Sequence, residues 1–147
     1  MPTTMLYFED VEMGDEFGPV ERVVTDQQVT EFVEIRGMDR GPSRFTDPEV
    51  ARHEGLPGPI VPGAMNVAMM SQLVTGWSPT VTLKKLDVVF RQVVPHNAPL
   101  ILKGIVTDTN VVDGEPQLEC DVIMENAEGA RLVIGRAILV LPMRKTT

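Results

Sequence analysis

The stretch Leu56-Pro57-Gly58-Pro59-Ile60-Val61-Pro62-Gly63 sets the strongest limit on how this chain folds. Its prolines fix φ and withhold backbone donors, so it belongs in neither a helix interior nor a central strand and reads as a rigid loop. Directly after it, Ala64 to Trp77 is the most apolar helical candidate. Met65, Val67, Ala68, Met69, Met70, Leu73, Val74 and Trp77 cover more than one narrow stripe, the pattern of a helix buried on most sides. Such a helix is about 21 Å long, too short for a membrane and about right to lie across a sheet.

The chain beyond it supplies the sheet. Thr80 to Val94 carries Val81 and Leu83 on one parity and Leu86, Val88 and Phe90 on the other, which predicts a bulge near Lys84-Lys85. Leu100 to Thr109 is a second strand. Pro116, Leu118, Cys120, Val122 and Met124 alternate with polar residues, a strand with one buried face. Leu132 to Leu141 is apolar on both parities and predicts a strand that is central or covered on both faces. Val112-Asp113-Gly114-Glu115 and Asn126-Ala127-Glu128-Gly129 have hairpin turn chemistry, so the sheet is antiparallel and the class is α+β.

Ahead of the proline loop, Glu16 to Val24 reads as a strand interrupted by Gly18-Pro19. Thr25 or Asp26 caps a helix bearing Val29, Phe32, Val33 and Ile35, Thr25 with Gln28 resembling a capping box and Gly37 being its stop. Asp47-Pro48-Glu49 opens a second short helix that Gly55 ends.

The 147 residues fit one domain, 1–147, with its core at about 7–142. Thirteen Lys plus Arg against 21 Asp plus Glu give a charge of −8, which repels nucleic acids and anionic membrane surfaces. No segment approaches the ~18 to 20 apolar residues of a membrane span, and Met1 to Asp10 has neither a basic start nor an apolar run. The expected location is the cytoplasm, which also suits a single cysteine, Cys120. Only His53 and His96 offer imidazole chemistry, and they lack metal-ligand spacing. Dinucleotide, P-loop, hydrolase-elbow and zincin motifs are absent.

The informative segment runs from Gly37 to Gly63, GMDRGPSRFTDPEVARHEGLPGPIVPG. Together with the entry at Tyr7 to Asp15 and with Phe90-Arg91-Gln92-Val93-Val94-Pro95, it resembles the MaoC-like branch of the hot-dog fold. Those proteins are (R)-specific enoyl-CoA hydratases and hydroxyacyl dehydratases with the motif SGDxNPxHxDxxxA and a later GxxxPIAHG segment. The resemblance implies a single hot-dog domain, an antiparallel sheet wrapped around the Ala64–Trp77 helix. It further implies a homodimer joined edge to edge, with which a strongly apolar last strand is compatible, and no metal or redox cofactor.

Hydrating a double bond conjugated to a thioester needs a base for water, an acid for the α carbon, and donors for the enolate oxygen. In the resembling enzymes an Asp and a His five residues later move the protons, and a backbone N–H at the helix start polarises the carbonyl. Aligning on Pro42 places Asp39 at the Asp and Arg44 at the His; aligning on Asp47-Pro48-Glu49 places Phe45 there instead. Neither alignment supplies a histidine, and Pro62 replaces the His of the PIAHG segment. Asp39, Arg44, Gly63 and Ala64 are therefore the candidate catalytic residues, the last two as oxyanion donors. Arginine stays protonated, so Arg44 reads as an anion contact or as a surface salt bridge and not as a base, and Asp39 reads equally as a turn residue that caps its loop.

Three explanations stand side by side for the missing imidazole. His53 turns inward, Asp39 works alone with water, or the chain is a catalytically silent subunit that binds an acyl thioester or completes a partner's site. The expected partners are an acyl-CoA or acyl-carrier-protein thioester and either a second copy or another MaoC-like chain. Blander roles also stand: His53 as an exposed helical residue, His96 as a turn residue, and Cys120 as core filling. Met65, Met69 and Met70 read as core or as the wall of an acyl-chain tunnel. Lys84, Lys85 and Arg91 read as a solvated strand edge or as contacts for a coenzyme A phosphate.

Overall fold

The computed structural model describes residues 4–37 and 41–145. Among these, the elements follow in the order β1 (Glu16–Arg22), α1 (Asp26–Ile35), α2 (Pro48–His53), α3 (Gly63–Thr75), β2 (Thr82–Phe90), β3 (Leu100–Val112), β4 (Glu115–Asn126) and β5 (Arg131–Val140). The strands form one antiparallel sheet in the spatial order β1-β3-β4-β5-β2.

Local chemistry accounts for most boundaries. Asp113 and Gly114 both take positive φ, 50° and 80°, as a tight hairpin between β3 and β4 requires. Thr25 Oγ1 accepts a hydrogen bond from Gln28 N–H at 3.2 Å, and Gln28 Oε1 accepts from Thr25 N–H at 3.0 Å, which completes the capping box of α1. Asp47 Oδ1 caps α2 through Glu49 N–H at 2.8 Å and Val50 N–H at 3.3 Å. The register of β2 against β5 shifts between Leu83 and Lys85, the place where the sequence changes parity. That shift turns Leu86 and Val88 back towards the core, against which both pack.

Leu118, Cys120, Val122 and Met124 of β4 are fully buried, and α3 packs across β2, β3 and β4 with Met69, Met70, Leu73 and Val74. Trp77 lies just past the helix and stacks on Phe17 of β1, ring centroids 4.4 Å apart and planes 14° from parallel. No described helix is long and apolar enough to cross a membrane.

Three expectations change. The helix begins at Gly63 and ends at Thr75, so Trp77 serves the β1 contact instead of the helix face. Its apolar surface is only partly covered: Ala68 is exposed, and Met65 and Val67 are half-buried. Together with Phe32 of α1, Met65 and Ala68 border a groove of about 280 Å³. Finally, the strand expected to reach Val94 stops at Phe90, because Val94 instead gives its carbonyl to Val61 N–H at 2.7 Å. As its apolar residues on both parities predict, β5 is internal, pairing with both β4 and β2, and the outer strands are β1 and β2.

Candidate functional site

The proline loop is anchored at two points before it enters α3. Ile60 N–H donates to Arg44 C=O at 3.1 Å, and Val61 N–H donates to Val94 C=O at 2.7 Å. These bonds hold the start of α3 beside the segment that follows β2. Between them lies a cleft of about 390 Å³ bordered by Phe45, Ile60, Gly63, Asn66, Phe90 and Val93.

The first residues of a helix carry N–H groups with no partner inside it. At α3 the capping position is Pro62, whose side chain makes no capping hydrogen bond. Its carbonyl accepts from Met65 N–H at 3.0 Å and Asn66 N–H at 3.3 Å. Among the described residues nothing accepts from Gly63 N–H or Ala64 N–H. Gly63 borders the cleft and Ala64, beside it, is exposed. The positive end of the helix dipole adds to these donors, an arrangement suited to an oxygen that gains negative charge. The Phe90 ring rests close above: a Cβ at Gly63 would meet Phe90 Cζ at 3.3 Å.

Asp39 lies outside the described residues. Arg44 sends its guanidinium to Glu54 Oε1 at 3.1 Å, half-exposed, and also 6.0 Å from the centroid of the Phe45 ring. Of the two residues that align with the family's histidine, Phe45 is the one whose side chain borders the cleft. His53 is exposed on the last turn of α2.

The His96 side chain is 5% exposed, with Nδ1 2.8 Å from Asp26 Oδ1 and Nε2 3.0 Å from Ile60 O. Both of its ring nitrogens are engaged in tying α1 to the proline loop. The hydrogen bond from His96, and after it that from Asn97, holds the Asp26 carboxyl below its ordinary range.

Elsewhere, burial first, and then the charges of Asp121 and Glu119, push the Cys120 thiol up to about 12, so it stays protonated in the core. Lys84 pairs with Glu115 at 2.5 Å and Lys85 with Asp87 at 3.5 Å, whereas Arg91 borders the cleft. Among the described residues no three His, Cys, Asp or Glu side chains converge as metal ligands.

Sequence reasoning passed over Asn66 and did not bring Phe90 to the helix start. The available signal for Asn66 was a lone Asn in an otherwise apolar turn, Ala64-Met65-Asn66-Val67-Ala68. Phe90 carried none, since its approach to Gly63 depends on the long-range packing of β2 on α3.

The chain is similar to the (R)-hydratase from A. caviae involved in PHA biosynthesis, with a TM-score of 0.78 over 91% of this chain and 99% of that one at 20% identity. The chain has the hot-dog fold. The MaoC-like dehydratase from Rhodospirillum rubrum is similar over 96% of this chain and 99% of its own, TM-score 0.80 at 18% identity. So is the ChsH1-ChsH2 complex from Mycobacterium tuberculosis, over 88% of this chain and 98% of the matched one, TM-score 0.75 at 17% identity. At these identities the likeness is one of hot-dog architecture. No protein-family model and no curated protein matches the chain.

Proposed function

We propose that this hot-dog chain belongs with the MaoC-like hydratases and dehydratases and adds or removes water at an enoyl or 3-hydroxyacyl thioester. The observation that carries the reading is the pair of free N–H groups at Gly63 and Ala64 beside the cleft. They are donors without a side chain, placed where a thioester carbonyl can enter past Phe90. In the hydration direction, water oxygen bonds to C3 and loses a proton to a base while electrons move onto the thioester oxygen. A proton then reaches C2 and the carbonyl reforms. Asp39 is the proposed base and acid. Arg44, held by Glu54, steadies the cleft wall through its carbonyl to Ile60. The thioester carrier is coenzyme A or an acyl carrier protein, and Arg91 is the cation that borders the cleft for its phosphates.

One observation favours a second reading. No imidazole faces the cleft: His53 is on the surface and His96 is bound at both nitrogens. On that reading the chain is a silent subunit that binds the thioester or completes a partner's site, an assembly for which the two-component complex from M. tuberculosis is a structural parallel. Association edge to edge would use an outer strand, and β2 presents exposed Val89 and Phe90 there.

The test is hydration of crotonyl-CoA and bulkier enoyl-CoA thioesters by the purified chain and by Asp39→Asn. Turnover that is lost in Asp39→Asn supports the catalytic reading. Turnover that survives the substitution removes Asp39 from the mechanism. Activity appearing only with a second MaoC-like chain supports the silent subunit.

A further inference from the structure

Besides the His96 ring, two polar residues are buried among the described residues, Asn66 and Ser78, each 3% exposed. Ser78 is fully engaged: its Oγ accepts from Leu6 N–H at 3.0 Å, donates to Thr4 C=O at 2.9 Å and meets Thr80 Oγ1 at 2.8 Å. Asn66 Oδ1 has no partner at all, the one such buried side-chain atom among the described residues. A buried acceptor left unpaired weakens the fold, and an aliphatic residue would suit the surrounding apolar helix better. The atom that fits it is a donor arriving from the cleft that Asn66 borders.

Its position narrows what that donor is. Asn66 stands three residues after Gly63, on the same face of α3, and helical side chains lean towards the N-terminus. The amide therefore leans back towards the turn that carries the free Gly63 and Ala64 N–H groups. Being neutral, it neither gives nor takes a proton at ordinary pH; it accepts a hydrogen bond and holds an atom in place. A thioester whose carbonyl oxygen meets those N–H groups carries its 3-hydroxyl four bonds away, within about one helical turn.

We infer that Asn66 is a substrate-positioning residue whose amide oxygen accepts a hydrogen bond from the 3-hydroxyl of a bound 3-hydroxyacyl thioester, and equally from the water that becomes that hydroxyl. The inference rests on the hydration reading and extends it to a residue that none of the motifs contains. It makes the cleft selective for a hydroxylated acyl group over a saturated one.

Calorimetric titration of the whole chain with 3-hydroxybutyryl-CoA and with butyryl-CoA tests it. The native chain should bind the hydroxylated thioester about five- to tenfold more tightly, the worth of one good neutral hydrogen bond. Asn66→Leu should lose that preference and melt no lower than the native chain, because the unpaired acceptor is gone. Asn66→Ala, which adds no bulk, should lose the same preference should the leucine fail to fold. Equal binding of both thioesters by the native chain, or equal weakening of both in the variants, overturns the role of Asn66 while the hydration reading stands. Binding of neither thioester overturns both.

Discussion

His96 Nε2 lies 3.0 Å from the carbonyl oxygen of Ile60, while its Nδ1 lies 2.8 Å from Asp26 at the start of α1. One buried ring thus joins the helix that follows β1 to the loop that positions Gly63. Replacing it leaves Ile60 C=O without this partner and opens a hole beside the cleft. His96→Ala is expected to cost about 1–3 kcal/mol in urea unfolding. It should also weaken thioester binding, because the proline loop loses an anchor.

Asp26 gives this contact a pH dependence. Its carboxyl is held below the ordinary 3.8, chiefly by the hydrogen bond from His96. The folded chain therefore protonates there less readily than the unfolded chain. The contribution is complete above the unfolded value and disappears as pH falls through the lower folded value. The side chain is 73% exposed, so water screens the effect to under about 1 kcal/mol. Asp26→Asn should be less stable than the native chain near neutrality, and the two should converge at the acid end of a series of urea unfolding curves.

Phe17 occupies the space that a side chain on Gly104 would need: a Cβ there would lie 2.2 Å from Phe17 Cζ. The ring cannot simply step aside, since it is 3% exposed and stacked on Trp77. Gly104→Ala should destabilise the chain by about 1–3 kcal/mol, the usual range for overpacking. It should also alter Trp77 fluorescence, which reports the stacked pair directly.

Arg44 offers a contrast. Its side chain is 52% exposed and paired with Glu54 at the surface, and the bond it contributes to the cleft wall is from its backbone carbonyl. Arg44→Ala should therefore change stability by less than about 1 kcal/mol. Crotonyl-CoA hydration rates should stay within a few-fold of native. A loss comparable to that of Asp39→Asn would place the guanidinium in the reaction.

Local rules made much of this architecture readable. The Thr25 and Asp47 caps, the Asp113-Gly114 turn, the buried alternation of β4 and the bulge at Lys84 each depend on neighbours a few residues away. What escaped depends on distant contacts. The placing of β1 on β3 is set by sheet register, which hydrophobic patterns do not order. The site divides in the same way. A proline at the cap of an apolar helix signals free N–H groups at Gly63 and Ala64. The pairing of Arg44 with Glu54, the entry of Phe45 into the cleft wall and the orphaned amide of Asn66 are consequences of packing.

The central claim is that the start of α3 receives a thioester carbonyl, and amide NMR of the labelled chain titrated with butyryl-CoA tests it most directly. The Gly63 and Ala64 N–H resonances should move downfield as the ligand saturates, as expected of donors that gain an acceptor. Ligand binding that leaves both resonances in place while shifting those of the groove beside Met65 and Ala68 would contradict the account.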